Sequence, residues 1–180
     1  MSEASEHQKL IEEKIRKVEA EAKESLGFIR KMIRDFLREE KGYRDDDVEA
    51  DTEFEVSVDD IGITTSVDYI LRLNGKRFMA IKCSPGALES RERHLVSFAR
   101  VVDAYQIPYA MVTDGTRARV LHTVSGKLFS EGLASVPDRA RAEEMRSSME
   151  PIPYPPERME REKRILLAFD SIKCTEESAE

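Results

Sequence analysis

The sequence predicts an α/β fold: a helix, a three-strand meander, a second helix and two further strands, forming a mixed sheet flanked by helices, with a helical extension at each end. Three observations predict it. Residues 6 to 41 contain no proline and are dense in Glu, Lys, Arg and Ala, the composition of a long helix. Val48, Ala50, Thr52, Phe54, Val56 and Val58 alternate with Glu49, Asp51, Glu53, Glu55 and Ser57, the period of two of a half-buried strand. Apolar runs on either side of Asn74-Gly75 read as a hairpin, because Asn-Gly accepts the left-handed backbone of a tight turn.

The opening helix reads as one long element or two with a break near Gly27. Ile11, Ile15, Val18, Ala22, Ser25, Ile29, Met32 and Phe36 alternate steps of four and three, placing them on one heptad stripe with Ser25 as the only polar member. For residues 28 to 41, Phe28, Ile33 and Leu37 widen the apolar face, so this half is expected to lie on the domain's own sheet. Residues 7 to 25 suit a coiled-coil seam and a helix laid on the domain equally well. Gly42 ends the helix. After the strand at 48–58 and a turn at Asp59 to Gly62, strands are expected at about Thr64–Leu73 and Arg77–Cys83. A covering helix over Glu89–Tyr105 turns Leu95, Phe98 and Val102 inward, and Pro108–Thr113 and Arg117–Thr123 read as strands joined at Asp114-Gly115. Ser125-Gly126 is a further turn. Beyond Pro137 come a charged helix to about Met149, a proline-rich link over Pro151–Pro156, and a last amphipathic helix with Met159, Ile165, Leu166, Phe169 and Ile172 apolar. The expected organisation is an N-terminal charged helix over residues 1–27, a core over 28–130, a C-terminal helical extension over 131–175 and a polar tail over 176–180.

Composition narrows the function. At 180 residues, with 40% hydrophobic and 36% charged residues, the chain suits one core of ordinary size. No apolar run is long enough to span a bilayer, and the acidic start is unlike a secretory signal, so a cytoplasmic protein without membrane contact is expected. Cys83 and Cys174 stand far apart with no CxxC or histidine pair, which supports neither a disulfide framework nor zinc. A net charge of -7 opposes non-specific attraction to phosphate, so any DNA contact needs a local basic patch. Arg91, Arg93 and Arg100 on the covering helix are candidates, as is the row Arg30, Arg34 and Arg38. In a chain with 36 acidic residues these arginines equally suit a solvated face paired with glutamates.

The hairpin carries the chemistry. A three-residue loop at Asn74 to Lys76 with a bulge pairs Asp68 with Lys82, whereas a two-residue loop pairs Asp68 with Ile81. The bulged register is expected. It sets Asp68, Lys82 and Ser84 on one face and Val67, Tyr69, Leu71, Met79 and Ile81 on the other.

The segments IRDFLREEKGY, VDYILRLNGKRFMAIKCSPG, SRERHLVSFAR and PYAMVTDGTRARVLHT, between about Met32 and Thr123, resemble the restriction-endonuclease-like PD-(D/E)XK superfamily. Within it they resemble most the N-terminal nuclease domain of type I restriction enzyme R subunits. The resemblance covers about half the chain and implies a metal-dependent DNA endonuclease fold. In that family, carboxylates gather Mg2+ or Mn2+ and a lysine steadies the reacting groups. Carried over residue by residue, Asp68 matches the first metal-binding aspartate, Lys82 stands where the second carboxylate belongs, and Ser84 where the catalytic lysine belongs. His94 and Phe98 occupy positions that are often glutamine and tyrosine, and Glu39 or Glu40 matches a helical glutamate that some relatives add to the metal site. The resemblance therefore implies a degenerate nuclease that binds no metal cofactor, with Lys82 pairing to Asp68 in the metal's place. Its partners would be DNA or restriction–modification subunits. A rival is an active nuclease using Mg2+ or Mn2+, with Lys82 as the catalytic lysine and a carboxylate migrated to Glu89 or Glu92. A third reading is a structural protein that forms a homodimer through the N-terminal helix. No GxxxxGK[ST] loop is present, so the chain supplies no translocating motor.

Overall fold

The structure is a computed structural model that describes residues 3–177, with side chains described from 6 to 171. Helix α1 (Glu3–Asp35) is continuous through Gly27 and runs into one wider turn, Phe36–Glu40, before Gly42 takes a φ of 74° and ends it. Ile29, Ile33 and Leu37, spaced by four, are buried against the sheet, as expected for residues 28 to 41, but Phe28, expected on the same apolar face, points away from it and is exposed. Each such side chain contributes about 1.5–3 kcal/mol by leaving water.

A six-stranded mixed sheet has the order β1-β4-β5-β6-β7-β8, with β1 (Val48–Ala50), β4 (Tyr69–Leu73), β5 (Lys76–Cys83), β6 (Tyr109–Thr113), β7 (Ala118–His122) and β8 (Lys127–Glu131). Only the β5–β6 pair is parallel, and α2 (Glu89–Val101) makes that crossover. β2 (Glu53–Val58) and β3 (Ile61–Ser66) form a separate two-stranded sheet. Helices α3 (Arg139–Ser148) and α4 (Pro156–Glu177) follow. One apolar cluster lies between the sheet and α1 with α3, around Ile33, Leu71, Ile81 and Met111. The other lies between the sheet and α2 with α4, around Ile70, Ala80, Phe98, Val112 and Leu166.

Several expectations are corrected. The strand at 48–58 is two strands, because Asp51 adopts a φ of 52° and redirects the chain from the large sheet into the small one. The second strand likewise divides at Val67-Asp68 into β3 and β4. The hairpin loop is the two-residue turn Asn74-Gly75, both residues with positive φ, and the bulge lies inside β5 at Phe78, between the Leu71–Met79 and Arg72–Arg77 pairs. The two differences cancel, so the expected register survives. Val67 belongs to the α2 cluster rather than with Tyr69 and Leu71, because the chain bends between β3 and β4. The covering helix stops at Val101, and β8 is an additional edge strand after the Gly126 turn. On α4 the buried line is Glu162, Leu166 and Asp170, so the inward face carries two carboxylates. The side chains of Ile172 and Cys174 and the end of the polar tail lie outside the described residues.

Candidate functional site

Pairing of Tyr69 with Ile81 sets Asp68 beside Lys82. Asp68 sits at the bend where β3 hands over to β4. Its amide donates to the Ile81 carbonyl at 3.1 Å, and its carboxylate Oδ2 accepts the Cys83 amide N–H at 2.7 Å. The Lys82 Nζ lies 3.8 Å from the same Oδ2, and the Arg30 Nε of α1 lies 3.2 Å from Oδ1. Asp68 is therefore a buried carboxylate enclosed by a guanidinium, an ammonium and a backbone donor. Arg30 also pairs with Asp51, and its main-chain carbonyl accepts the Tyr69 hydroxyl at 2.9 Å. Burial pulls the Arg30 pKa down, but Asp68 and Asp51 outweigh it and hold the group above its ordinary value. Burial, reinforced by the neighbouring Asp68, pushes the Cys83 thiol up to about 12, so it is a packed thiol rather than a nucleophile.

Ser84 is buried, and its Oγ accepts the Gly86 N–H at 3.4 Å while its amide donates to Thr113. The helical residue of α1 that reaches Asp68 is Arg30. Glu39 pairs with Arg38 at 3.0 Å, and nine residues separate it from Arg30, about 13 Å along a helix. Glu40 is exposed.

Glu89 and Glu92 turn to β7. The Arg119 side chain pairs with Glu92, lies 3.9 Å from Glu89, and also pairs with Glu131. Register runs from Lys82 to Val112 and from Val112 to Arg119, so this cluster lies two strands from Lys82. At the usual strand spacing that is about 10 Å. Among the described residues no group of three His, Cys, Asp or Glu side chains is arranged to hold a metal ion.

His94 is buried with its Nε2 3.0 Å from Asp170 of α4, beside the Phe169 ring, and Phe98 is a core residue packed edge-on to Phe54. Arg93 makes a bidentate pair with Glu162 at 2.9 and 3.0 Å, and Arg100 reaches the same carboxylate at 3.2 Å. Ser97 and Tyr154 donate to it as well. Burial raises the Glu162 pKa, but the Arg93, Ser97 and Tyr154 hydrogen bonds outweigh it and hold the carboxyl at about 2. Arg91 is exposed. Arg34 pairs with Asp45, and Arg38 with Asp35 and Glu39. A cavity of about 920 Å³ is lined by Arg93, Arg100, Gln106, Tyr154 and Glu162, among others, and does not include Asp68 or Lys82.

Two residues that organise these charge clusters, one on each face of the sheet, are absent from the sequence expectations in these roles. Arg30 appears there only as part of a basic row, and Glu162 not at all. The one signal for Arg30 is its position beside the buried Ile29 and Ile33 on a helix otherwise expected to cover the sheet.

A mixed sheet with helices on both faces, a parallel β–α–β crossover, and an aspartate set against the end of β5 fit the restriction-endonuclease-like core expected from the sequence. Residues 27–137 match the family model described as Type I restriction enzyme R protein N terminus, which is more than half of the chain. The chain belongs to that family. No curated protein and no solved structure gives a significant match. Among the described residues no helix is long and apolar enough to cross a membrane.

Proposed function

We propose that this chain is a catalytically degenerate nuclease domain of the PD-(D/E)XK type, acting as an assembly or DNA-binding module beside a cytoplasmic restriction–modification system. One observation carries the reading: the single carboxylate that matches the family's metal ligand is already neutralised by Lys82 and Arg30. A divalent cation needs converging oxygen ligands, and here two positive side chains lie beside the carboxylate that matches the family's ligand, while the nearby Asp51 is itself taken up by Arg30. The residues present do not fit Mg2+ or Mn2+.

Assembly is favoured over DNA binding. Arg93, Arg100, Arg34 and Arg38 are all engaged by carboxylates, and the chain carries a net charge of -7. Among the arginines expected to form a basic patch only the exposed Arg91 stands outside these pairs, so that patch has little charge left for backbone neutralisation. The rival active nuclease would need Glu89 or Glu92 at the metal, and both face Arg119 instead.

Purified protein incubated with plasmid and linear DNA, with Mg2+ or Mn2+, tests the reading. No cleavage is expected, and DNA retention in a mobility-shift assay should be weak and salt-sensitive. Association with restriction–modification subunits should be measurable by co-purification. Metal-dependent cleavage that disappears in Asp68→Asn would overturn the degenerate reading. Salt-resistant DNA binding without subunit association would overturn the preference for assembly.

A further inference from the structure

Residues 6 to 25 of α1 stand clear of the domain, every one of them exposed. Their large apolar side chains are displayed rather than covered: Ile11 is 44% exposed, Ile15 50% and Val18 64%, with Ala22 and Ser25 continuing the stripe. A lone helix of this length is marginal in water and gains most of its stability from a packed face. We propose that this segment pairs with the same segment of a second copy of the chain, as an antiparallel two-stranded coiled coil. The pairing does not depend on whether the Asp68 site is active.

The direction follows from where the stripe goes next. Its continuation, Ile29, is buried in the chain's own core, followed by Ile33 and Leu37. A parallel partner would have to run on past Ser25, into the space its neighbour's domain fills. An antiparallel partner reaches that point with Gln8, a polar residue opposite Ser25, and has only Glu3 to His7 of its described helix beyond it.

Layer by layer the antiparallel register also fits. Ile15 faces the partner's Val18, Ile11 faces the partner's Ala22, and Gln8 faces the partner's Ser25, each layer occurring twice by symmetry. Large thus meets small, and the polar residues sit together at the ends. On one flank Lys14 lies opposite the partner's Glu21, an attractive pair made twice, and Phe28, 66% exposed, is covered near the partner's His7. On the other flank Glu12 meets the partner's Glu19. Arg16 and Lys23, one turn on in the same helix, offset that repulsion. The two-fold axis passes between Ile15 and Val18, so the two domains stand at opposite ends of the coil with their Asp68 sites well separated. Such a dimer is suited to bridging two partners.

Sedimentation equilibrium of the full chain over the micromolar range should show a monomer–dimer equilibrium. Ile15→Asp, at an exposed position, should abolish it while leaving the domain folded by near-ultraviolet circular dichroism. Glu19→Lys gives opposite signs for the two directions. In the antiparallel coil it turns the Glu12 contact attractive and tightens the dimer about fivefold, whereas in a parallel coil it would repel Lys14 and weaken it. In a Cys174→Ser background, Gln8→Cys and Ser25→Cys proteins should form a disulfide when mixed and neither should cross-link alone. Their self-facing positions would lie about 25 Å apart. A protein that stays monomeric throughout, a Glu19→Lys variant that dissociates, or Gln8→Cys that cross-links to itself would overturn the proposal.

Discussion

Converting the Lys82 and Ser84 positions to the residue types of a metal site, Lys82→Glu with Ser84→Lys, should produce measurable affinity for Mg2+ or Mn2+. The Lys82 ammonium is 3.8 Å from the Asp68 carboxylate. At about 4 Å, a pair of unit charges is worth about 1 kcal/mol in bulk water and about 4 kcal/mol at the effective dielectric of a protein surface. Lysine to glutamate changes the local charge by two units, and a dication doubles the effect, so the water limit alone gives about 4 kcal/mol. The new ammonium at position 84, two residues along the strand at about 7 Å, returns part of that. A gain of about a hundredfold or more remains. Arg30, 3.2 Å from Asp68, is untouched and keeps the absolute affinity low. Adding Arg30→Gln should raise the affinity again. Isothermal calorimetry of the wild type, the double variant and the triple variant with MnCl2 is the assay. If the wild type binds the metal as tightly as the double variant, Lys82 does not block a metal site and the degenerate reading falls.

Other outcomes follow from the same contacts. Asp68→Ala should cost about 2–4 kcal/mol in urea unfolding, because it strands Arg30, Lys82 and the Cys83 amide together, while Asp68→Asn keeps an acceptor for that amide and should cost less. Glu162, held at about 2, contributes stability that is fully present above its ordinary pKa of 4.5 and is lost as pH falls from about 5 toward 2. Glu162→Gln should destabilise the protein at neutral pH by about 2–4 kcal/mol and reduce the acid sensitivity in that window, as read by thermal melts across pH. Cys83, buried with its thiol pushed up to about 12, should react with a thiol reagent only after unfolding.

Much of the fold is legible because local chemistry dictates it. Asn74-Gly75 marks the hairpin, and the register follows once one extra residue is placed in β5, although the bulge sits at Phe78 rather than at the turn. The division of the first strand is hidden because a left-handed residue at Asp51 leaves the alternation of apolar and polar residues intact on either side. β8 is hidden for another reason. An exposed edge strand, with Leu128 and Phe129 left half exposed, lacks the burial that writes a pattern into sequence. On α4 the ordinary assumption that carboxylates face water conceals Glu162 and Asp170. Their burial depends on Arg93, Arg100 and His94, all more than sixty residues earlier.

The same long-range dependence governs the site. Position along the hairpin places Asp68 beside Lys82, but nothing local links Arg30 to Asp68 across 38 residues of chain. That link decides what Asp68 does. In a metal site of this kind a buried aspartate is compensated by the cation it binds. Without the second carboxylate the same buried charge still needs a counter-charge, and desolvating it alone would cost several kcal/mol. Here Lys82 supplies one positive charge from the neighbouring strand and Arg30 another from α1, so the aspartate pins the first helix to the β4–β5 hairpin. Asp68 is thus accountable as a structural residue even in the absence of chemistry. It follows that loss of any activity in Asp68→Ala could report unfolding, and that the weight of the functional test rests on Asp68→Asn with its melting temperature measured alongside.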